Sequence, residues 1–336
     1  MERFHSRDSV EFRGTWRIAR LTDSCVTDLA VIIVTWNVRD LALDALRSLY
    51  ADLAQSGLSS QVIVVDNASS DGTVEAIRTQ FPQTRVIASR ENLGFVRGNN
   101  LALRELGFPD RDDLPRAVYL LNPDTITQMG AGRALFDALM ADRTVGLVGA
   151  RLTYGDGSFQ HGAFMFPGLR QIWTEFFFTP GRLIENGFNG RYDRALYNAG
   201  QPFDVDFVLG ATMMLRREVV QRTGMFDEAF FMYCEEIDWA WRIHKAGWRV
   251  QCVPAAHVVH LGGQSTGQAR PQSVIHLWTS RLRLYEKHQP AWKTALAKRL
   301  IVWGMGKKMR ALEPVTADQR ALYEAYEKVR GMAMGR

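Results

Sequence analysis

Asn122-Pro123-Asp124 follows directly on the apolar run Ala117-Val118-Tyr119-Leu120-Leu121. A continuous apolar run of this kind is typical of a strand that is buried on both faces, as in a parallel sheet. The same layout occurs upstream, where Val62-Ile63-Val64-Val65 leads into Asp66-Asn67. In open α/β sheets the ligand binds outside the carboxyl ends of the strands. The sequence therefore predicts that Asp66 and Asp124 lie at the ligand-binding edge of one sheet.

Strand-like and helix-like segments alternate around these two runs. They are predicted, in chain order, as a strand at 29–35, a helix at 41–53, a strand at 62–65, a helix at 73–81, a strand at 85–88, a helix at 98–106 and a strand at 118–121. Strands that alternate with helices indicate right-handed βαβ units, so we predict an α/β fold with a Rossmann-like, mostly parallel sheet flanked by helices.

The pattern changes after about residue 145. Further strands are predicted at 147–152, 207–215, 250–253 and 258–260, with a helix at 235–245. The irregular aromatic stretch before residue 207 is typical of substrate-binding loops. Arg-, Lys- and Trp-rich helices follow from about residue 273. We predict a flexible extension at 1–28, one main domain at 29–270 and a helical extension at 271–336.

The composition excludes several classes of protein. The 336 residues are 46% hydrophobic and 23% charged, which is typical of a globular protein. The net charge of +5 is compatible with a phosphate-bearing substrate or an anionic membrane surface, and no nucleic-acid module is recognisable. No apolar run approaches the roughly 20 residues that span a bilayer, and residues 1–28 lack a signal-peptide core. Cys25, Cys234 and Cys252 fit neither a zinc site nor a disulfide framework, which favours a reducing compartment.

Each acid at a strand end has two interpretations. Asp66 could accept a hydrogen bond from a pyrimidine imide or a ribose hydroxyl, or it could cap the turn at 66–73. Asp124 could bind a divalent cation such as Mg²⁺ beside a diphosphate. It could instead be the N-cap of a following helix, which would be worth about 1 kcal/mol.

Three other groups carry candidate chemistry. The loop from Arg90 to Asn100 could present backbone N–H groups to a phosphate, or be an ordinary helix start. Glu235, Glu236 and Asp238 could supply a general base with a raised pKa, or only favour the positive end of a helix dipole. His257 and His260 point to opposite faces of a strand. Only His260, before Gly262-Gly263, is therefore a candidate metal ligand, with a structural histidine as the alternative.

Taken together, the motifs resemble glycosyltransferase family 2, and in particular its rhamnosyltransferase-like branch, from about Val31 to Thr266. The resemblance rests on the order of the motifs Val34-Thr35-Trp36-Asn37, Val65 to Thr73, Asn92-Leu93-Gly94-Phe95, Gly98-Asn99-Asn100, Asn122-Pro123-Asp124, Gly224 to Glu228, Phe230 to Tyr233, Glu235-Glu236, and His260 with Gly262 to Thr266.

The resemblance implies a fold of the GT-A type and assigns roles to individual residues. It implies a nucleotide-binding half at 29–125 and an acceptor-binding half at 126–270. The residues implied in donor binding are Thr35, Asn37, Asp66, Asn92, Gly94, Asn99 and Asn122. Asp124 stands at the second acid of the family's Asp-X-Asp motif, with Asn122 at the first, and His260 joins it to hold Mg²⁺ or Mn²⁺. Glu236 stands at the catalytic base, and because the usual Glu-Asp pair is Glu-Glu here, Glu235 and Asp238 stay open as alternatives.

The resemblance further implies an inverting transfer of a sugar from a nucleotide-sugar donor. dTDP-L-rhamnose is expected, with UDP-galactose or another nucleotide sugar as the alternative. The expected acceptor is a lipid-linked saccharide or polysaccharide, and the expected location is cytoplasmic, peripheral on the inner face of the membrane. Trp292, Leu296, Leu300 and Trp303 recur at helical spacing before Lys307, Lys308 and Arg310. Residues 291–312 could therefore rest on anionic lipid, or pack on the catalytic domain.

Two rival functions are considered. A nucleotidylyltransferase should carry a glycine-rich loop after the first strand, but the segment Thr35-Trp36-Asn37-Val38-Arg39-Asp40 contains no glycine. A non-catalytic protein that binds sugars or nucleotides is the other rival, because the Glu-Glu pair departs from the family pattern.

Overall fold

The computed structural model describes residues 27–262 and 270–336. The predicted extension therefore lies outside the described residues up to residue 26, as does the motif segment from Gly263 to Thr266. The first part of the described chain comprises β1 Leu29–Thr35, α1 Arg39–Ser56, β2 Ser60–Asp66, α2 Thr73–Gln80, β3 Arg85–Ala88, α3 Gly94–Leu106, β4 Ala117–Leu121 and β5 Thr125–Thr127.

The remaining elements begin with a helix that follows β5. They are α4 Ala131–Ala141, β6 Val145–Thr153, β7 Phe159–Gln160, β8 Ala163–Phe164, α5 Leu169–Phe176, α6 Gly181–Ile184, a 3-10 helix at Gly187–Asn189, α7 Arg194–Asn198, β9 Phe203–Val205, β10 Phe207–Val208, β11 Thr212–Arg216, α8 Arg217–Thr223, α9 Glu235–Lys245, β12 Arg249–His260, α10 Arg270–His288, α11 Ala291–Ala311 and α12 Ala317–Ala333.

The main sheet contains ten strands with the path β3-β2-β1-β4-β11-β6-β12-β5, and β7 and β9 pair with β6 and β12. The strands β3, β2, β1 and β4 are parallel, as predicted. Beyond them the sheet is mixed, because β11 is antiparallel to both β4 and β6. Thr212, at the start of β11, lies opposite Leu121, at the end of β4. The chain thus enters β11 at the edge where β4 ends, instead of returning through a crossover helix.

Successive residues of the central strands face two different cores. In β1, Ile32 and Val34 belong to a cluster that includes residues of α3, α8 and α9. Val31 and Ile33 belong to a second cluster, which includes residues of α1, α2 and α4. This alternation is the two-residue period of a strand. Because both faces are covered, all seven residues of β1 are buried, which explains the continuous apolar run in the sequence.

Two predicted strand boundaries are wrong. The strand predicted at 207–215 is divided into β10 and β11 by residues 209–211, and β10 pairs with β8 in a separate small sheet. The two strands predicted between 250 and 260 form one strand, β12, whose pairing with β6 shifts register between Val253 and His257. An irregularity of this kind admits extra residues without ending the strand.

The C-terminal helices predicted from the sequence are present as α10, α11 and α12. They pack around a third core that includes Trp278, Ile301 and Val329, together with Phe176 of α5. Gly304 of α11 lies so close to the Phe176 ring that a Cβ atom there would overlap the ring. Within the described residues, none of the helices combines the length and the apolar content needed to cross a bilayer.

Candidate active site

A cavity of about 470 Å³ opens where β1 and β4 end and β11 begins. Of the residues predicted for the site, the cavity lining includes Thr35, Asn92, Gly94, Asn122, Asp124, Glu235, Glu236 and His260. These residues come from the ends of β1, β4 and β12 and from the starts of α3 and α9. The structure therefore brings the acid that follows β4 and the two acids that begin α9 to one cleft at the expected edge of the sheet.

Strand pairing brings Asp124 and His260 together. Thr125 of β5 pairs with His260 of β12, and the Leu261 N–H donates to the Asp124 carbonyl oxygen over 2.9 Å. Asp124 Oδ1 and His260 Nε2 are 3.5 Å apart, and the other ring nitrogen lies 3.2 Å from Gln160 Oε1. Because β5 follows Asp124 directly, the interpretation of Asp124 as a helix N-cap is wrong.

The side chains beside this pair fit a hard divalent cation. Asn122 Oδ1 is buried and has no hydrogen-bond partner among the described residues. A buried oxygen without a partner is costly, so a ligand that it can bind is expected. A carboxylate, an amide oxygen and an imidazole are donors that Mg²⁺ or Mn²⁺ accepts beside a diphosphate. Within the described residues no group of three or more His, Cys, Asp or Glu side chains forms a complete metal site, so substrate oxygens would have to complete the coordination.

The start of α3 and the residues before it also line the cavity. Asn92 Oδ1 accepts a hydrogen bond from the Gly94 N–H over 2.9 Å. Gly94 has a φ of +74°, and a Cβ atom there would lie 2.8 Å from the Phe231 ring. Two features therefore require glycine at position 94: its positive φ, and the Phe231 ring that packs against it.

Three residues predicted to bind the donor do not line the cavity. Asn37 Oδ1 accepts from the Ser70 N–H, and the Asn99 amide donates to the Phe95 carbonyl oxygen within α3. Asp66 is buried and its Oδ2 accepts from the Ser69 N–H over 2.9 Å, as the turn-cap interpretation expects. Its Oδ1 is buried without a partner among the described residues. The next residue, Asn67, follows the end of β2 and lines the cavity instead, with its amide donating to the Gly94 carbonyl oxygen over 3.1 Å.

Glu235 and Glu236 begin α9 and both line the cavity. One oxygen of each carboxyl group, Oε2, is buried without a hydrogen-bond partner in the described part of the chain. Burial raises the pKa of Glu236 to about 7. Burial, together with the charge of Glu236, raises the pKa of Glu235 well above its ordinary value. A carboxylate whose pKa lies near neutrality suits a general base.

Asp238 has a different environment, and the structure does not bring it to the cavity. Two residues after Glu236 on a helix, its side chain points to the opposite side. His288 Nε2 and Lys287 Nζ each lie 2.7 Å from Asp238 Oδ1, and Arg242 Nε donates to Oδ2 over 3.0 Å. Burial alone would raise the pKa of Asp238, but these partners outweigh it and lower the pKa to about 2. Asp238 is therefore placed to hold helices together, not to accept a proton from a substrate.

The sequence did not predict part of the cavity wall. Tyr233 lies at a positive φ of 69° just before α9, and its side chain lines the cavity with that of Phe231. Gln272, Ser273 and His276 of α10 also line it, and the His276 ring stacks on Phe231 at 4.8 Å. The aromatic run before Glu235 was a visible signal. Nothing in the sequence of α10 indicated that this helix reaches the cleft.

Comparison with known proteins identifies the family. The profile described as glycosyl transferase family 2 matches residues 30–224, which is over half of the chain. The chain belongs to glycosyltransferase family 2. The predicted resemblance is thereby confirmed, and the protein is a glycosyltransferase. The rival interpretations as a nucleotidylyltransferase and as a non-catalytic binding protein are set aside.

Curated relatives support the rhamnosyltransferase-like branch of this family. The N-acetylglucosaminyl-diphospho-decaprenol L-rhamnosyltransferase of Mycobacterium tuberculosis is 29% identical over 243 residues, which are 70% of this chain and 78% of the relative. The rhamnosyltransferase WbbL of Escherichia coli is 43% identical over 56 residues, which are 17% of this chain and 21% of the relative.

Solved structures confirm the predicted GT-A type of fold. The structure of GalNAc-T7 with UDP, GalNAc and Mn²⁺ superposes with a TM-score of 0.56 at 14% identity, over 94% of this chain and 57% of that one. This chain thus spans little more than half the length of GalNAc-T7. At this identity the likeness concerns the fold alone.

Proposed function

We propose that this glycosyltransferase transfers L-rhamnose, with inversion, from dTDP-L-rhamnose to a lipid-linked saccharide or a growing polysaccharide. The observation that carries the proposal is that Glu236 faces the same cavity as Asp124 and His260. The sugar is inferred from the names of the relatives, both rhamnosyltransferases, one of which is named for a diphospho-decaprenol acceptor. UDP-galactose or another nucleotide sugar is the second candidate donor.

Glu236 is the proposed base. Its carboxylate accepts the proton of an acceptor hydroxyl as that oxygen forms a bond to the anomeric carbon, while the bond from this carbon to the diphosphate oxygen breaks. Inversion follows because attack and departure occur on opposite faces of the sugar. Two unpartnered oxygens, on Glu235 and Glu236, support this role, since a hydroxyl donor would satisfy one of them.

Asp124, His260 and Asn122 are the proposed ligands of Mg²⁺ or Mn²⁺. Such a cation, when bound, neutralises charge that develops on the departing nucleoside diphosphate. Thr35, Asn67, Asn92 and Gly94 line the same cavity. We propose that residues 29–125 bind the nucleotide and residues 126–270 form the acceptor side. Asn37, Asp66 and Asn99 would then hold the backbone around the donor site in place without contacting the donor.

Donor turnover tests the proposal. Purified protein is incubated with dTDP-L-rhamnose, UDP-galactose and other nucleotide sugars, with Mg²⁺ or Mn²⁺, and nucleoside diphosphate release is measured with and without a polyprenyl-diphosphate saccharide. Acceptor-dependent release from dTDP-L-rhamnose alone is the expected result. Release from a different donor would replace the proposed sugar, and no release from any donor would contradict the transfer itself.

The metal role has its own measurement. Asp124→Asn should weaken metal-dependent binding of dTDP by about 100-fold in calorimetry, because a ligand charge is lost. Asp112→Asn, at an exposed loop position, is the matched control and should leave the affinity unchanged. Equal affinities of the Asp124 variant and wild type, with and without metal, would remove Asp124 from the metal site.

The proposed location is peripheral, on the inner face of the cytoplasmic membrane, through residues 291–312. Trp292 and Trp303 are 63% and 56% exposed on α11, whereas Ile301 and Met305 on the other side are buried in the helical core. Leu300 packs against that core and is not part of the exposed face. One face of α11 therefore packs on the protein, and the opposite face has the aromatic residues typical of a membrane interface.

A further inference from the structure

A second cavity, separate from the catalytic one, lies between α11 and the end of α12. Its volume is about 630 Å³, and its lining includes Lys298, Arg299, Trp303, Gly306, Arg310 and Arg330. The cavity shares no lining residue with the catalytic cleft, and none of its lining residues is acidic. All the charged side chains in the lining are cationic, and such a pocket attracts anions.

Two guanidinium groups converge over Gly306. A Cβ atom at Gly306 would lie 3.7 Å from Arg310 Nη1 and 3.9 Å from Arg330 Nε. The Arg330 Nε is buried and has no hydrogen-bond partner among the described residues. Neither guanidinium forms an ion pair with a carboxylate within 27–262 or 270–336, whereas Lys298 pairs with Glu286 at 2.7 Å. Two unpaired like charges held together are unfavourable until an anion joins them.

The chemistry of the cavity indicates which anion fits. Guanidinium groups bind phosphate oxygens through paired hydrogen bonds. Beside them the wall is apolar: Trp303 is 56% exposed and Met334 is 41% exposed. Trp292 and Leu296, also exposed, continue this apolar surface along the same side of α11. Phosphate contacts next to exposed aromatic and aliphatic groups match a lipid headgroup with its acyl chains better than a free phosphate.

We propose that the α11–α12 cavity binds the phosphate of an anionic phospholipid in the membrane. Arg310 and Arg330 hold the phosphate, and Trp303 lies at the level of the headgroups. The inference rests on the peripheral location proposed above and specifies its chemistry: the protein recognises a headgroup in addition to inserting aromatic residues. It predicts selectivity for anionic over zwitterionic lipid.

Co-sedimentation with vesicles tests the proposal. Full-length protein is mixed with phosphatidylcholine vesicles, with or without phosphatidylglycerol. We expect binding only with phosphatidylglycerol, and an affinity at least about tenfold weaker in Arg310→Gln/Arg330→Gln. The matched control is Arg78→Gln/Arg320→Gln, which removes the same charge at exposed positions outside the cavity and should stay within about twofold of wild type. Equal affinities of the two double variants, or equal binding of wild type to both vesicle types, would overturn the proposal.

A second variant leaves both arginines in place. Gly306→Asp puts a carboxylate where the two guanidinium groups meet, so we expect the same loss of vesicle binding, with unfolding monitored by circular dichroism. Calorimetry with inorganic pyrophosphate distinguishes the sources of phosphate. If the arginine variants lose pyrophosphate binding and keep vesicle binding, the site is one for a free phosphate and the lipid assignment is wrong. Nucleoside diphosphate release, assayed without vesicles, should be unchanged in all these variants, so a failed transfer function is recognised separately.

Discussion

The two sides of the first turn of α9 carry the same type of side chain in opposite states. On the cavity side, burial outweighs backbone hydrogen bonds and raises the pKa of Glu236 to about 7, and no charged partner within the described chain opposes it. On the other side, Asp238 is fully buried, but His288, Lys287 and Arg242 lower its pKa to about 2. The difference shows that partners, and not burial alone, decide whether a carboxyl group can exchange a proton near neutral pH.

The largest expected effect is a loss of activity on substitution of Glu236, on the cavity side of α9. Glu236→Gln should lower turnover by about 10³-fold and leave donor affinity near that of wild type, because the amide cannot accept the proton. Glu235→Gln is the matched control in the same cavity and should retain most activity. Single-turnover transfer and calorimetric donor binding are the measurements. If the Glu235 variant were the inactive one, the base would be Glu235. Near-normal turnover of both variants would show that neither residue is the base.

A second substitution, at Asp238, should lower the stability of the protein more than its activity. Asp238→Asn removes the charge that Arg242 and His288 contact, while Lys287 keeps its ion pair with Asp227, so we expect the free energy of unfolding to fall by roughly 2–3 kcal/mol. The activity of the folded fraction should change much less than in Glu236→Gln. Urea denaturation monitored by tryptophan fluorescence measures the loss. A fully stable but inactive Asp238→Asn would show that Asp238 takes part in catalysis after all.

The pH dependence should have opposite signs on the two sides. The transfer rate should rise about tenfold per pH unit up to about 7 and then level off, as the Glu236 carboxyl group loses its proton. Folded protein retains this proton between pH 4.5 and about 7, so Glu236 contributes stability below this range that is lost as the pH rises through it. Asp238 contributes stability above pH 3.8 that is lost as the pH falls towards about 2.

Rate profiles and thermal unfolding curves across this range measure both effects. Glu236→Gln should flatten the stability change between pH 4.5 and 7, and Asp238→Asn should flatten the change below pH 3.8. A wild-type rate that does not change between pH 5 and 8 would contradict the role of Glu236.

The smallest expected effect is the contribution of His288 to stability through its hydrogen bond to Asp238. His288→Asn removes a hydrogen bond to Asp238 and a ring that stacks on Trp241 at 4.7 Å. Lys287 and Arg242 remain, so we expect a loss of about 1–2 kcal/mol in unfolding free energy. His276→Asn, at the other end of α10, should leave stability closer to wild type but weaken substrate binding. Indistinguishable unfolding of wild type and His288→Asn would mean that His288 adds nothing to the network.

The first half of the fold could be predicted because its signals are local. Continuous apolar runs mark β1, β2 and β4, and the residue after each run is at the edge of the sheet where ligands bind. Asp124 could be placed in the same way, from the turn that follows β4. The fold class, the family and the C-terminal helices were predicted correctly on this basis.

The remaining features depend on contacts between distant residues. The pKa of Asp238 is lowered mainly by His288 and Lys287, about 50 positions away, so its sequence neighbours could not indicate that it is unsuited to the proposed role of base. The direction of β11 depends on where the chain re-enters the sheet, and the division of residues 207–215 depends on a separate partner strand, β8. Asp66 and Asn67 are adjacent, and Asn67 is held at the cavity by a hydrogen bond to Gly94, 27 positions away.

Helix α10 links two regions of the molecule, since Gln272 and His276 line the catalytic cavity at one end and His288 binds Asp238 of α9 at the other. The family match ends at residue 224, before α9 and α10 begin. A recombinant fragment trimmed to the matched range would therefore lack the proposed base, the helix that holds it and part of the substrate pocket. For cloning, directed evolution or domain exchange among these transferases, the transplantable unit extends at least through residue 288.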